Sequence, residues 1–109
     1  MKRLIPMILL LSLTLTASVA VLSGAEGSET KGKYYYKKTC KPCHKKDSEG
    51  PELSPLSKTT AQWESIFASG KHTDKQKLID VMDEKQLLDV STYLKAHASD
   101  SPQPETCGE

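Results

Sequence analysis

The hydrophobic positions of this chain form one long apolar run and three shorter amphipathic segments. The run spans residues 5–21 and is interrupted only by Ser, Thr and one Pro. Further on, apolar residues recur at helical spacing within residues 29–40, 59–70 and 83–98. No segment shows the apolar–polar alternation of β-branched residues that a half-buried strand requires. The pattern therefore predicts an all-α protein.

The first amphipathic segment predicts a helix with a narrow inner face. Gly32, Tyr36 and Cys40 recur at intervals of four residues and share that face, while lysines occupy the outside. Gly32 would allow a second helix to approach closely. We expect this helix to end at Pro42, because proline disfavours a helix interior.

Capping residues mark the second helix, and acidic residues mark the start of the third. Thr59 or Thr60 is expected to cap the second helix and Gly70 to end it. The third helix should begin at Asp83, whose charge favours a helix N-terminus. Residues 47–58 are expected to be loop, and residues 73–81 to contain one or two helical turns. The inner face of the third helix would carry Leu87, Val90, Tyr93, Leu94 and His97.

The apolar run has the features of a secretory signal peptide. Lys2 and Arg3 precede it, and Ser23-Gly24-Ala25 follows it with a small-x-small cleavage pattern. The alternative is a membrane anchor, but the run is short of the roughly 20 strongly apolar residues that a spanning helix needs. We therefore predict a signal peptide at 1–25, a domain at 26–98 and an extended, exposed tail at 99–109. Export points to the bacterial periplasm, with the extracellular space as the alternative.

Composition narrows the class of the exported chain further. Loss of Lys2 and Arg3 leaves 13 basic and 14 acidic residues, so the net charge falls from +1 to −1. This balance does not favour a nucleic-acid partner. The remaining 84 residues can bury only a small core. A large apolar cofactor would help such a chain to fold.

The sequence Cys40-Lys41-Pro42-Cys43-His44 predicts which cofactor this is. C-x-x-C-H is the attachment sequence of a c-type haem, in which two thiols form thioethers and the histidine binds the iron. A bare C-x-x-C would also suit a thioredoxin-like redox pair or half of a zinc site. Export and the small core favour one covalently attached haem c.

Around this motif the chain resembles the class I cytochrome c family, from about Gly32 to Lys95. Gly-x-x-x-Tyr-x-x-x-Cys at 32–40 resembles the family's N-terminal helix, and Gly-Pro-Glu-Leu at 50–53 its Gly-Pro-x-Leu loop. Residues 89–94 look like the C-terminal helix that crosses the first. The resemblance implies a small cytochrome c fold with three to four helices around the haem. It also implies that the Pro51 carbonyl accepts the His44 Nδ1–H.

The sixth iron ligand is where the chain departs from the family pattern. The family usually places a methionine on a loop about ten residues before the last helix. His72 occupies that position here, whereas Met82 lies directly against Asp83. We expect His72 to be the distal ligand, with Met82 or an open site as alternatives. His97, near the end of the last helix, is the least favoured candidate.

Trp63 has two interpretations. Its indole N–H needs a partner if the ring is buried, and a haem propionate would provide one. The alternative is ordinary core packing.

Lysines cluster around the haem-attachment sequence. The cluster suits either a solvated helix face or a docking ring for acidic redox partners. Its members are Lys31, Lys33, Lys37, Lys38, Lys41, Lys45 and Lys46.

These features together predict an electron carrier with no substrate of its own, and not an enzyme. A haem-based sensor or small-ligand binder is the alternative if the iron is open or weakly ligated. Cys107 is the odd cysteine once the haem takes two. It is either an inert thiol or the site of a disulfide that joins two copies or a partner.

Overall fold

The computed structural model describes residues 26–106, which are largely helical. Short 3₁₀ turns at Pro55–Ser57 and Leu78–Asp80 interrupt the connecting loops. Within residues 26–106 there is no strand, only an isolated antiparallel bridge between Lys71 and Lys77. This agrees with the predicted all-α class. The helices are α1 (Glu29–Tyr35), α2 (Lys41–His44), α3 (Thr60–Ser69) and α4 (Glu84–Ala96).

The first helical stretch is longer than the sequence predicts. After α1 the chain forms a π-helical turn, Tyr36–Cys40, in which the Lys41 N–H donates to the Tyr36 carbonyl, and it continues into α2. The expected end at Pro42 is therefore wrong. Pro42 lies in the first turn of α2, directly after the π-helical turn.

α3 begins and ends where Thr59 and Gly70 predict, and α4 begins after Asp83 as predicted but ends at Ala96, two residues before the expected Ala98. The Thr59 hydroxyl accepts from the Gln62 N–H at 3.2 Å, and Asp83 accepts from the Gln86 N–H at 2.8 Å. Gly70 ends α3 with φ of 68°, a left-handed conformation that favours glycine. These local contacts confirm the predicted caps.

α1 and α4 cross at Gly32. A Cβ at this position would overlap the Asp89 carbonyl oxygen and lie 2.8 Å from the Tyr93 Cβ. One turn further on, the rings of Tyr36 and Tyr93 have centroids 5.7 Å apart. The predicted close approach at Gly32 is therefore present, and α4 is the helix that makes it.

A buried carboxylate ties the start of α1 to α4. Asp89 is 1 % exposed, and its Oδ1 accepts from the Ser28 N–H at 2.8 Å and from the Lys85 ammonium at 2.9 Å. The Ser28 hydrogen bond is the main cause that lowers the pKa of Asp89, and Lys85 lowers it further, against the opposing effect of burial. The carboxylate therefore stays ionised at neutral pH.

The core lies between α4 and the segments packed on it. Met82 belongs to it and is 8 % exposed. Leu53, Cys40 and Phe67 pack against its edge as partly buried neighbours. The buried apolar side chains are Tyr36, Trp63, Met82, Val90, Tyr93, Leu94 and Ala98.

The C-terminal segment folds back on the domain, so the prediction that it is extended is wrong, whereas most of residues 99–106 are exposed as predicted. The Glu105 N–H donates to the His97 carbonyl at 3.1 Å, and the Tyr93 hydroxyl donates to the Glu105 carboxylate at 2.9 Å. Asp100 accepts from both the N–H and the hydroxyl of Thr60, at 2.8 and 2.9 Å. These partners are distant in sequence, so the apolar pattern of the tail gave no sign of them.

The predicted signal peptide lies outside the described residues. Between residues 26 and 106, no helix has both the length and the apolar character that a membrane crossing requires.

Replacing Asp89 should show how much its contacts with Ser28 and Lys85 contribute to the stability of the fold. Asp89→Asn keeps the shape but loses the charge, so at pH 7 we expect a loss of about 2 kcal/mol in the free energy of unfolding. Because folding lowers the pKa of Asp89, its contribution is present above the unfolded value near 3.9 and is lost as pH falls below it.

The measurement is urea unfolding of both proteins between pH 3 and pH 7. The difference between them should shrink below about pH 4. A difference that does not change with pH would contradict the assigned role of the charge.

Candidate functional site

His44 ends α2 and is held by the loop that follows it. The Gly50 N–H donates to the Cys43 carbonyl at 2.6 Å, and the Leu53 N–H donates to the His44 carbonyl at 2.9 Å. These bonds bring Pro51 over the imidazole, whose Nδ1–H donates to the Pro51 carbonyl at 2.8 Å. The contact that the family resemblance implies is therefore present. It fixes the tautomer and leaves Nε2 with a free lone pair.

Gly50 makes this arrangement sterically possible. A Cβ there would lie 2.8 Å from the His44 Cε1 and 2.9 Å from its Nδ1. Carbon atoms in proteins do not approach this closely without displacement, so any other residue would push the ring away. The glycine of the Gly-Pro-Glu-Leu sequence thus has a specific role beside the imidazole.

The His72 ring lies close to the His44 ring. The two ring centroids are 6.0 Å apart and the ring planes are inclined by 72°. His72 is on the segment between α3 and the 3₁₀ turn, and its Nδ1–H donates to the Gln76 side-chain oxygen at 2.6 Å. Both imidazoles thus have Nδ1 bound to an oxygen acceptor and Nε2 free. Sequence reasoning paired these histidines but missed Gln76.

This spacing fits two imidazoles bound to opposite sides of one metal ion. A metal–nitrogen bond of about 2 Å, with the ring centre about 1 Å beyond the nitrogen, separates two such centroids by about 6 Å. The observed 6.0 Å agrees. The donor set also suits haem iron, which binds neutral imidazole. The residues present therefore fit the predicted group, whose iron His44 and His72 would bind.

Met82, the alternative distal ligand, is a buried member of the core cluster. Its thioether side chain suits an irregular core position. The histidine pair gives His72 a direct geometric argument that Met82 lacks.

The two cysteines differ in their surroundings. Cys40 is half-buried at the end of the π-helical turn, and Cys43 is exposed. Burial, and to a smaller extent the neighbouring Cys43, raises the pKa of Cys40 to about 11. A nucleophilic thiol of the thioredoxin type needs the opposite shift. The raised pKa therefore disfavours that alternative.

The zinc alternative requires further ligands near the cysteines. In the described part of the chain, no three residues among His, Cys, Asp and Glu come together as a metal-binding group.

Trp63 has a protein partner for its indole N–H. The ring is 3 % exposed, and Nε1 donates to the Pro55 carbonyl at 3.0 Å. The indole N–H that we expected to donate to a haem propionate is therefore already bonded to a carbonyl of the chain. This contact agrees with the packing alternative.

Tyr36 links the first helical stretch to the loop beside His44. Its hydroxyl donates to the Leu53 carbonyl, a contact that sequence reasoning missed. Burial is the main cause that raises the pKa of Tyr36 to about 12, with Cys40 and Glu105 contributing. The phenol therefore remains a neutral donor, and it helps to hold residues 50–53 against α2.

The lysines around His44 face a cleft of about 270 Å³. Lys37, Lys41, Lys45 and Lys46 line it, but so do Glu52 and, unexpectedly, Glu105 from the C-terminal segment. The cleft is therefore of mixed charge.

The C-terminal segment also engages His97. The imidazole packs on Tyr93 with centroids 5.4 Å apart, and its Nδ1–H donates to the Gln103 carbonyl at 3.0 Å. Cys107 lies outside the described residues, so its disulfide stays a prediction.

Comparison of the chain with protein-family models gave no match, and comparisons with curated proteins and with solved structures gave none either. The likeness to class I cytochromes c therefore rests on the short motifs and on the geometry described above.

Replacing Trp63 distinguishes its two interpretations. Trp63→Phe keeps an aromatic ring but removes the donor to Pro55. If packing and this bond are its role, the free energy of unfolding should fall by about 1–2 kcal/mol. The reduction potential of the haem-loaded protein should stay at the wild-type value.

Urea unfolding and a redox titration of the same samples make this measurement. A shifted potential with unchanged stability would instead assign Trp63 to a haem propionate.

Proposed function

We propose that this protein is an exported monohaem cytochrome of class I type that carries electrons between redox partners. The observation that carries the proposal is the pair His44 and His72, with ring centroids 6.0 Å apart behind a C-x-x-C-H sequence. Both rings present Nε2, because each Nδ1 is bound to an oxygen acceptor. The proposed fold is the small cytochrome c fold, in which the helices pack around the cofactor.

The roles of the residues follow from their chemistry. Cys40 and Cys43 would hold the haem covalently through thioethers, and His44 would bind its iron from the same side. The Pro51 carbonyl orients His44 and would make its Nε2 a stronger electron-pair donor to the iron. His72 would bind the same iron. When bound, the haem supplies an iron centre that exchanges one electron.

Two histidine ligands fit an electron carrier better than a sensor. If His44 and His72 both bound the iron, a small molecule would find no open site on it. Bis-histidine ligation also gives a lower reduction potential than histidine–methionine ligation. We propose that the carrier is not an enzyme. Its reduction potential would lie at the low side of the range for this family.

The partners we propose are redox proteins with acidic docking surfaces. Of the seven lysines near the attachment sequence, all but the half-buried Lys33 are exposed. Electron-transfer complexes are small and transient, which suits steering by such charges. Glu52 and Glu105 within the same cleft would limit this attraction to the lysine-rich rim.

The proposed location is the bacterial periplasm, or the extracellular space, after removal of residues 1–25. Export suits c-type haem, which bacteria attach outside the cytoplasm. Cys107 would then meet an oxidising environment, where it could join two copies through a disulfide.

Covalent attachment is the first test of this proposal. The purified protein should keep its pigment in acid acetone and in denaturing gels, because thioether bonds survive both. Cys40→Ser with Cys43→Ser should lose it, while Cys107→Ser should keep it. A wild-type protein that releases its pigment would overturn the proposal.

The distal ligand is the second test. His72→Ala should convert the ferric spectrum from low spin to high spin and allow carbon monoxide to bind the reduced protein. Met82→Leu should leave the spectrum low spin, since Met82 packs in the core.

The reverse pattern would move the assignment to Met82. Carbon monoxide binding by the wild-type protein would favour the sensor alternative instead.

A further inference from the structure

The segment that carries His72 is closed on itself. It begins after Gly70 and ends at Leu78, whose N–H donates to the Gly70 carbonyl at 2.8 Å. Inside it, the N–H groups of His72 and Thr73 both donate to the Gln76 carbonyl, at 2.9 and 3.0 Å. The Gln76 backbone therefore sets the path of the chain at His72.

The Gln76 side chain returns to the same histidine. Its carbonyl oxygen accepts the His72 Nδ1–H at 2.6 Å. A carbonyl oxygen only accepts, so this bond requires the hydrogen on Nδ1 and leaves the lone pair on Nε2. Pro51 does the same for His44 at 2.8 Å, so the two rings are oriented by matching contacts from different segments.

We infer that Gln76 is a positioning residue that holds His72 as the distal iron ligand and sets how strongly it binds. The inference rests on the proposed function, since it needs an iron between the two histidines. Partners of metal-bound histidines fix the tautomer and raise the basicity of the ring, and their loss typically costs about 10–100-fold in metal affinity.

An ordinary surface contact would have no effect on the iron–His72 bond. His72 and Gln76 are both exposed, so a hydrogen bond that served only folding would contribute little to stability. Replacing Gln76 should therefore leave the urea midpoint nearly unchanged and act instead on the strength of the iron–His72 bond. The effect on the iron–His72 bond, and not the urea midpoint, therefore separates a positioning role from a structural one.

The experiment titrates the ferric holoprotein with imidazole, which competes with His72 for the distal position. Gln76→Leu should bind imidazole about 10–100-fold more tightly than wild type, because the internal ligand is weakened by that factor. Lys75→Ala, an exposed neighbour on the same segment, is the matched control and should behave as wild type. Equal imidazole affinity in Gln76→Leu and wild type would overturn the inference.

A second variant provides an independent readout. In Gln76→Glu a carboxylate would accept the His72 Nδ1–H. This would make the His72 Nε2 a stronger electron-pair donor to the iron and favour the ferric state. Its reduction potential should fall below that of wild type, and imidazole should compete less well than in Gln76→Leu. A potential equal to that of Lys75→Ala would count against the inference.

His72→Ala separates the two levels of the argument. If it becomes high spin while Gln76→Leu behaves as wild type, only the role of Gln76 is wrong. If His72→Ala stays low spin, His72 is not the distal ligand, and both that assignment and the role of Gln76 are wrong. Loss of the pigment from wild-type protein in acid acetone would remove the proposed function itself.

Discussion

The crossing of α1 and α4 at Gly32 is the constraint on which the rest of the structure depends. Because no side chain separates the helices there, the Asp89 carboxylate can reach the Ser28 N–H and Tyr36 can pack on Tyr93. α1 runs without a break through the π-helical turn into α2. The crossing therefore also determines where Cys40 and His44 lie relative to the core.

The elements that the sequence predicts well are those specified by neighbouring residues. The caps at Thr59 and Asp83 and the left-handed Gly70 each depend on contacts within three residues, so they can be deduced from local chemistry. The Pro51 carbonyl on His44 followed from the family resemblance. The close approach at Gly32 followed from its place on the inner face of a helix.

The elements that the sequence predicts poorly depend on geometry or on distant partners. Continuation of the helix past Pro42 follows from a π-helical turn, which shifts the hydrogen-bond register and has no sequence signal here. The contact between Tyr93 and Glu105 joins segments that no periodic pattern relates. Gln76 could have been noticed only as a polar residue across a short turn, Thr73-Asp74-Lys75, from the histidine.

The segment between Gly70 and Leu78 also has a consequence for motion. His44 is anchored to residues 50–53, which Tyr36 in turn holds, whereas the hydrogen bonds that shape the His72 segment run within residues 67–82 and none of them reaches α1 or α4. Such a unit can open without disturbing the crossing of α1 and α4, at a lower free energy than global unfolding. In amide hydrogen exchange, the N–H groups of His72, Thr73 and Leu78 would form a separate, faster class than those of α4. His44 thus belongs to the permanent framework, and His72 to a part of the chain that can open locally.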